Sequence, residues 1–273
     1  MGEKSDIQWT DHTFNIAWGC TKVSPACDHC YAETWAKRMG LKVWGQDAER
    51  RTLGEKYWRA PLGWNARAEK AGRVDLVFCS SMADVFEDHP TLETERAKLW
   101  PLILVTPWLR WMLLTKRPEN IARMTESAAA QSAIRRCWVG VTAETQEYYD
   151  LRWPILARVP ALRHFVSNEP ALGPLTRLRD AVGSLPHWVI VGGESGAGAR
   201  PFDVSWASDV VRLCRAASIS PFVKQLGAKP HRGGVPIALA DKHGGDVTEW
   251  PGGVARDREW PADPMGVVGA LRV

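Results

Sequence analysis

Three cysteines fall within eleven residues, in the run Trp18-Gly19-Cys20-Thr21-Lys22-Val23-Ser24-Pro25-Ala26-Cys27-Asp28-His29-Cys30-Tyr31. Their spacing is Cys-x6-Cys-x2-Cys, with Gly19 and Pro25 shaping the loop. Thiolates select zinc or iron–sulfur iron over hard cations, so a soft metal is the chemistry this loop suits. No fourth cysteine lies nearby, whereas a closed structural site normally takes four protein ligands. Three ligands would leave one metal corner open. His29 keeps a Cys3His zinc site in view, although it shares the short Cys27–Cys30 turn with two ligands, where three neighbouring side chains rarely reach one ion.

Other residues with chemical capacity follow apolar runs. These are Ser80, Ser81 and Asp84, then Thr115, Lys116 and Arg117, then Thr142 and Glu144. Further along come Ser167, Asn168 and Glu169, then Gly192, Gly193 and Glu194, and finally Lys224 and Gln225. Each has an ordinary reading as a helix cap or a salt bridge: Lys116, Arg117 and Lys224 can pair with Glu144, Glu169 or Glu194. As a functional set, the cations would grip a carboxylate or phosphate, which arginine binds bidentately. The carboxylates would meet hydroxyls or an amine. Two glycines before Glu194 allow a close backbone approach. Tyr31 and Trp35 read as cover over the cysteine loop.

The elements that position these groups can be read from the apolar runs. Strands are predicted at Asn15–Trp18 (ending at Cys20), Val74–Cys79, Trp111–Leu114, Cys137–Val141, His164–Val166, Trp188–Val191 and Pro221–Val223. Runs this free of charge suit strands buried on both faces of a parallel sheet. Helices are predicted over Cys30–Met39, over Leu92–Leu104 with Pro101 disturbing it, from Thr145, and over Val204–Ala217. Seven strand–helix alternations give an α/β fold. An incomplete TIM-like (β/α) barrel of about six to seven parallel strands is expected, because its carboxyl strand ends bring the polar residues to one mouth. Residues 1–228 would form this barrel, 40–73 an insertion, and 229–273 an irregular cover rich in Gly and Pro.

The balance of 35 basic against 31 acidic residues, a net of +4, is too small to argue for nucleic acid by itself. Fifteen tryptophans stand against four tyrosines, several of them beside arginine, and their plain reading is core mass. Arg67, Arg73, Arg135, Arg136 and Lys229 are candidates for phosphate contact that read equally as solvated side chains. No apolar run approaches the ~20 residues of a membrane span, and the run Met1-Gly2-Glu3-Lys4-Ser5-Asp6 lacks an apolar h-region, so no signal peptide is expected. With Cys79, Cys137 and Cys214 in apolar surroundings, a reducing cytoplasm is expected.

Cys20-x6-Cys27-x2-Cys30-Tyr31-Ala32-Glu33 resembles a phage-associated three-cysteine family of the radical S-adenosylmethionine (SAM) type. So do Met82-Ala83-Asp84-Val85-Phe86, Leu114-Thr115-Lys116-Arg117-Pro118, Ser167-Asn168-Glu169-Pro170, Gly192-Gly193-Glu194-Ser195-Gly196 and Val223-Lys224-Gln225-Leu226-Gly227. That family is distantly similar to spore photoproduct lyase. The resemblance spans roughly residues 6–230, and the first gap of six departs from the usual radical SAM gap of three.

The resemblance implies a [4Fe–4S] cluster on Cys20, Cys27 and Cys30 with SAM on the fourth iron. One-electron cleavage of SAM would give a 5′-deoxyadenosyl radical that abstracts hydrogen from substrate. Ser80, Ser81, Asp84, Thr115, Lys116, Thr142 and Glu144 would hold SAM, and Lys224, Glu194 and Glu169 would act on substrate. The Gly-Gly-Glu run follows the sixth strand rather than the second, so its usual role is not transferred. The implied substrate is a thymine-derived base in DNA, damaged or hypermodified, in the cytoplasm of a host bacterium. The partners would be DNA or a DNA-derived nucleotide and a reductant such as flavodoxin. Two alternatives stand beside this reading: a zinc-stabilised nucleic-acid-binding module, and a radical SAM enzyme acting on a small metabolite or peptide.

Overall fold

The computed structural model describes residues 4–179, 183–196 and 198–263. In chain order the elements are β1 (His12–Phe14), α1 (Tyr31–Arg38), α2 (Glu55–Lys70), β2 (Asp75–Cys79), α3 (Pro90–Leu104) and β3 (Leu109–Thr115). There follow α4 (Ile121–Met124), α5 (Ala128–Ile134), β4 (Trp138–Thr142), α6 (Gln146–Leu156), β5 (Arg163–Asn168) and β6 (Trp188–Gly192). The last are β7 (Phe202–Asp203), α7 (Val204–Ala216), β8 (Ser220–Gln225), β9 (Pro230–Arg232) and β10 (Val235–Pro236). Seven strands pair in parallel in the order β1-β2-β3-β4-β5-β6-β8 and curl into an incomplete α/β barrel.

Alternate strand residues separate two apolar layers, as the period of two requires. Leu76, Phe78, Met112, Trp138, Phe165, Trp188, Ile190 and Phe222 pack inside the barrel with Trp9. Val77, Cys79, Trp111, Leu113, Val139, Val141, Val166, Val189, Val191 and Val223 belong to the outer core shared with the helices. Burial of both faces accounts for the uninterrupted apolar runs in the sequence. Gly140 is required by this packing: a Cβ there would lie 2.4 Å from the Phe165 ring.

Two expectations are corrected, the place of the first strand and the helix of one crossover. The first strand is His12–Phe14, not Asn15–Trp18, and it ends six residues before Cys20. His12 and Thr13 are polar but buried; His12 bonds Asp75 at 3.2 Å and stacks on Trp64. The stretch 40–73, read as an insertion in the first crossover, carries the sixteen-residue helix α2, which packs against β2 and β3. The β5-to-β6 crossover carries no helix among its described residues.

The chain beyond residue 228 contains β9 and β10, which form a small sheet with β7. Further on, it lies antiparallel beside β8: Val223 N–H donates to Asp257 O at 2.7 Å and Glu259 N–H to Pro221 O at 2.9 Å. Trp260 then stacks edge-on to Phe222, and its indole N–H donates to Trp9 O at 3.3 Å. The tail thereby links the last strand to the segment preceding the first. No helix among the described residues is long and apolar enough to cross a membrane.

Candidate functional site

Gly19 places the cysteine loop. Its φ of +119° suits glycine, and a Cβ there would fall 2.2 Å from Val43 O. Gly19 N–H donates to Met82 O, and the next residue, Cys20, bridges to Trp44. A single 3-10 turn, Pro25–Cys27, carries Cys27, and Cys30 is the N-cap of α1.

A buried charge network straps the loop down. Glu87 accepts from Thr21 N–H at 2.8 Å and takes a two-pronged ion pair from Arg50 at 3.0 and 2.9 Å. The Arg50 side chain is 0% exposed and that of Glu87 4%. Arg117 donates to Thr21 O at 2.6 Å and to Asp84 at 2.9 Å, and its guanidinium stands 3.7 Å from Cys20 Sγ. Burial pushes the Cys20 thiol up to about 12, against the pull of the Arg117 charge. Burial works against the Arg117 charge, but Asp84, Cys20 and Glu87 outweigh it and raise its pKa.

The other side of the loop is clamped by Arg200. It donates to Pro25 O at 2.9 Å, lies 3.6 Å from Asp28, and holds Glu194 through both carboxylate oxygens. Glu194 also faces His29 Nδ1 at 3.4 Å. Burial alone would raise the Glu194 carboxyl, but the Arg200 hydrogen bonds outweigh it and hold the group below its ordinary value. The glycines before Glu194 are explained by packing: a Cβ on Gly193 would meet Leu226 O at 2.3 Å.

These elements enclose a cavity of about 440 Å³ at the carboxyl ends of the strands. Cys20, Cys27, Cys30, Ser80, Ser81, Asp84, Thr115, Lys116, Thr142, Glu169, Glu194 and Lys224 all line it. Glu144 does not: it is fully buried, pairs with Arg152 at 2.9 Å and accepts from Ala26 N–H at 3.3 Å, so it supports the loop from behind. Asp84 lines the cavity with both oxygens occupied, by Thr115 Oγ1 and Phe86 N–H on one side and Lys116 N–H and Arg117 on the other. Ser80 Oγ accepts from Ile16 N–H at 3.4 Å, and Ser81 Oγ bonds the Asn15 side chain. Lys224 is ion-paired to Glu169, both side chains 18% exposed to the cavity. Lys116 has no ion pair among the described residues.

Arg50, Glu87, Arg152 and Arg200 were not expected from the sequence as site residues, nor were the cavity-lining Ile7, Trp9 and His243. Lone charges far apart in the chain carry no spacing signal. Glu87 alone stands next to a motif, Met82–Phe86.

All six cysteines are free thiols. No three of His, Cys, Asp and Glu among the described residues gather around one point as ligands of a single ion do. An iron–sulfur core makes a different demand, since its thiolates are spread over separate irons. Three half-buried thiols on one loop, all facing one cavity, fit it in type and number.

Fold and site together define an incomplete parallel α/β barrel with a three-cysteine cavity at its carboxyl mouth. Residues 4–251 match the family described as Protein of unknown function (DUF5131), and the chain belongs to that family. No curated protein matches. Two solved structures of spore photoproduct lyase are similar. One, a mutant with bound AdoMet and dinucleoside spore photoproduct, is 12% identical over 59% of this chain and 46% of that chain, with a TM-score of 0.42. The other, also a mutant, is 13% identical over 61% and 58% of the two chains, with a TM-score of 0.39. The chain thus spans about half the length of the structures it matches.

Proposed function

We propose that this chain is a radical SAM enzyme whose Cys20, Cys27 and Cys30 hold a [4Fe–4S] cluster, acting on a thymine-derived base in DNA. The observation that carries the reading is the convergence of the three thiols and the polar strand ends on one cavity. When bound, the cluster and SAM supply one-electron cleavage of the sulfonium and abstraction of a hydrogen atom from substrate. Arg117 offsets thiolate charge at Cys20, and Glu87 with Arg50 fixes the Thr21 backbone beside it. Ser80, Ser81, Thr115, Lys116 and Thr142 form the polar wall assigned to SAM, with the Lys116 ammonium toward a carboxylate. Asp84 positions Thr115, Lys116 and Arg117 rather than meeting the ligand directly. Glu194 is a positioning residue held by Arg200, and Glu144 steadies Ala26. Lys224 and Glu169, the ion pair facing the cavity, orient substrate polar groups. The buried strap and apolar barrel interior exclude water from beneath the site.

Anaerobic purification, iron and sulfide analysis, and assay for 5′-deoxyadenosine with SAM and a strong reductant test the chemistry. Iron and sulfide near the cluster stoichiometry with SAM cleavage is the expected outcome. A zinc-bearing, air-stable protein that leaves SAM intact sinks the reading. Nucleoside mass spectrometry of DNA after incubation tests the substrate.

A further inference from the structure

The helix that follows Cys30 presents an uncovered apolar stripe beside the cavity mouth. Tyr31 and Trp35, four residues apart, share one face of α1, and Met39, the residue capping its end, follows at the same interval. They are 55%, 37% and 49% exposed. Tyr31 belongs to both surfaces: it lines the cavity and its hydroxyl donates to Ser81 O at 2.9 Å across the lip. Trp35 stands edge-on to Trp18 at 5.0 Å, and the Arg51 guanidinium lies 4.7 Å over the other tryptophan of that pair, Trp18. Arg38, the last residue of α1, and Lys42, four residues beyond it, are exposed and have no ion pair among the described residues.

We infer that this face is a track for a single strand of nucleic acid leading into the cavity; the inference rests on the reading of the cavity as a site for a DNA base. Aromatic rings with interleaved cations are what a single strand recognises, by base stacking and phosphate contact. Geometry favours a single strand over a duplex. Four residues of helix advance about 6 Å, whereas stacked bases in one strand of B-DNA advance about 3.4 Å. A strand that places successive bases on Tyr31 and Trp35 is therefore unstacked, the state in which a base can leave its neighbours and enter a pocket. An acidic electron-donor protein is the competing occupant of a basic, apolar face. Extension of the stripe through Tyr31 into the cavity itself favours the strand.

Fluorescence anisotropy of a labelled short oligothymidylate, alone and annealed to its complement, tests this on the full chain. The wild type should bind the single strand better than the duplex. Trp35→Ala should weaken binding about tenfold, the loss of one stacked base, and Trp35→Phe should restore most of it. Arg38→Ala should lower the slope of log affinity against log salt by about 0.7 between about 50 and about 200 mM. Equal affinities for wild type and Trp35→Ala, preference for duplex, or binding of a flavodoxin-type protein that oligothymidylate does not displace would overturn the track. Iron content and SAM cleavage of the wild type are read separately. A chain that cleaves SAM but binds no strand loses this surface and keeps the radical chemistry. One that binds through Trp35 without iron keeps the surface and loses the chemistry.

Discussion

The Arg117 guanidinium, 3.7 Å from Cys20 Sγ, also donates to Asp84 and to Thr21 O, so one side chain joins a thiol to the end of β3. Removing it deprives the buried thiol of its nearest positive charge, and the Cys20 pKa should rise further. Arg117→Met is therefore expected to bind less iron on anaerobic reconstitution and to shift the potential of any cluster formed to more negative values, since hydrogen bonds and charge at the sulfurs set that potential. Arg117→Lys keeps the charge without the fork and should fall between, as iron analysis and redox titration by electron paramagnetic resonance would reveal. Glu87→Gln is different in kind: it leaves the Arg50 cation buried without its partner, which costs about 3–5 kcal/mol. Urea denaturation measures that loss, and a change within 1 kcal/mol would show the pair to be dispensable (about the value of an exposed pair). At this scale the sequence was partly legible. The three cysteines announce themselves by spacing, and Lys224 and Glu169 by their place after apolar runs. Arg50 and Glu87 do not, because they are separated by 37 positions and only the fold makes them partners.

At the scale of elements, six of the seven barrel strands were readable because their residues are apolar on both faces. The first was misplaced: its polar His12 and Thr13 are satisfied inside the protein, while the apolar residues after it form buried loop. Helix α2 was hidden by its polar outer face and by Pro61 within it. The β5–β6 junction, which lacks a helix among its described residues, holds a titratable pair. The His164 backbone N–H donates to His187 Nδ1 at 3.1 Å, which requires that nitrogen unprotonated. Burial lowers the pKa of both histidines, with Arg163 adding to the effect at His187. A histidine whose folded pKa lies below the unfolded value of about 6.5 supports the fold fully above that value. It loses that support as pH falls through the lowered pKa. The urea midpoint should thus decline between about pH 7 and about pH 5, and His187→Gln, which cannot titrate, should flatten part of the decline. A midpoint independent of pH in that window, or an unchanged slope in the variant, counts against it. The neighbouring β4–β5 pair offers a second check in Gly140→Ala. Its added methyl would press on the Phe165 ring and should cost about 1–3 kcal/mol, measured by the same titration.

For the molecule as a whole, the difficulty is that seven strands leave an open seam between β8 and β1. The excess of tryptophan, legible only as bulk in the sequence, turns out to fill and seal the structure: Trp111, Trp138, Trp153 and Trp188 are fully buried, and Trp260 spans the seam. Its ring lies 5.0 Å from Phe222 on one side and its N–H reaches Trp9 O on the other. Asp263 extends the bridge to Arg110 at the start of β3, at 2.8 Å. Since Trp9 and Lys224 both line the cavity, the seam contact at Trp260 fixes the width of a site to which the tail also contributes His243. Trp260→Ala should therefore act in two ways. Stability should drop by about 2 kcal/mol, less than the ~3–5 of a fully buried tryptophan because the ring is only partly covered. Amide hydrogen exchange should quicken in residues 7–12 and 220–225, flanking the seam, while β3 and β4 opposite keep their protection. If exchange rose evenly across all strands, the tail would be adding only bulk stability. Quickening confined to the seam would mean that the last described residues hold the barrel closed and thereby set the spacing between Trp9 and the Lys224–Glu169 pair.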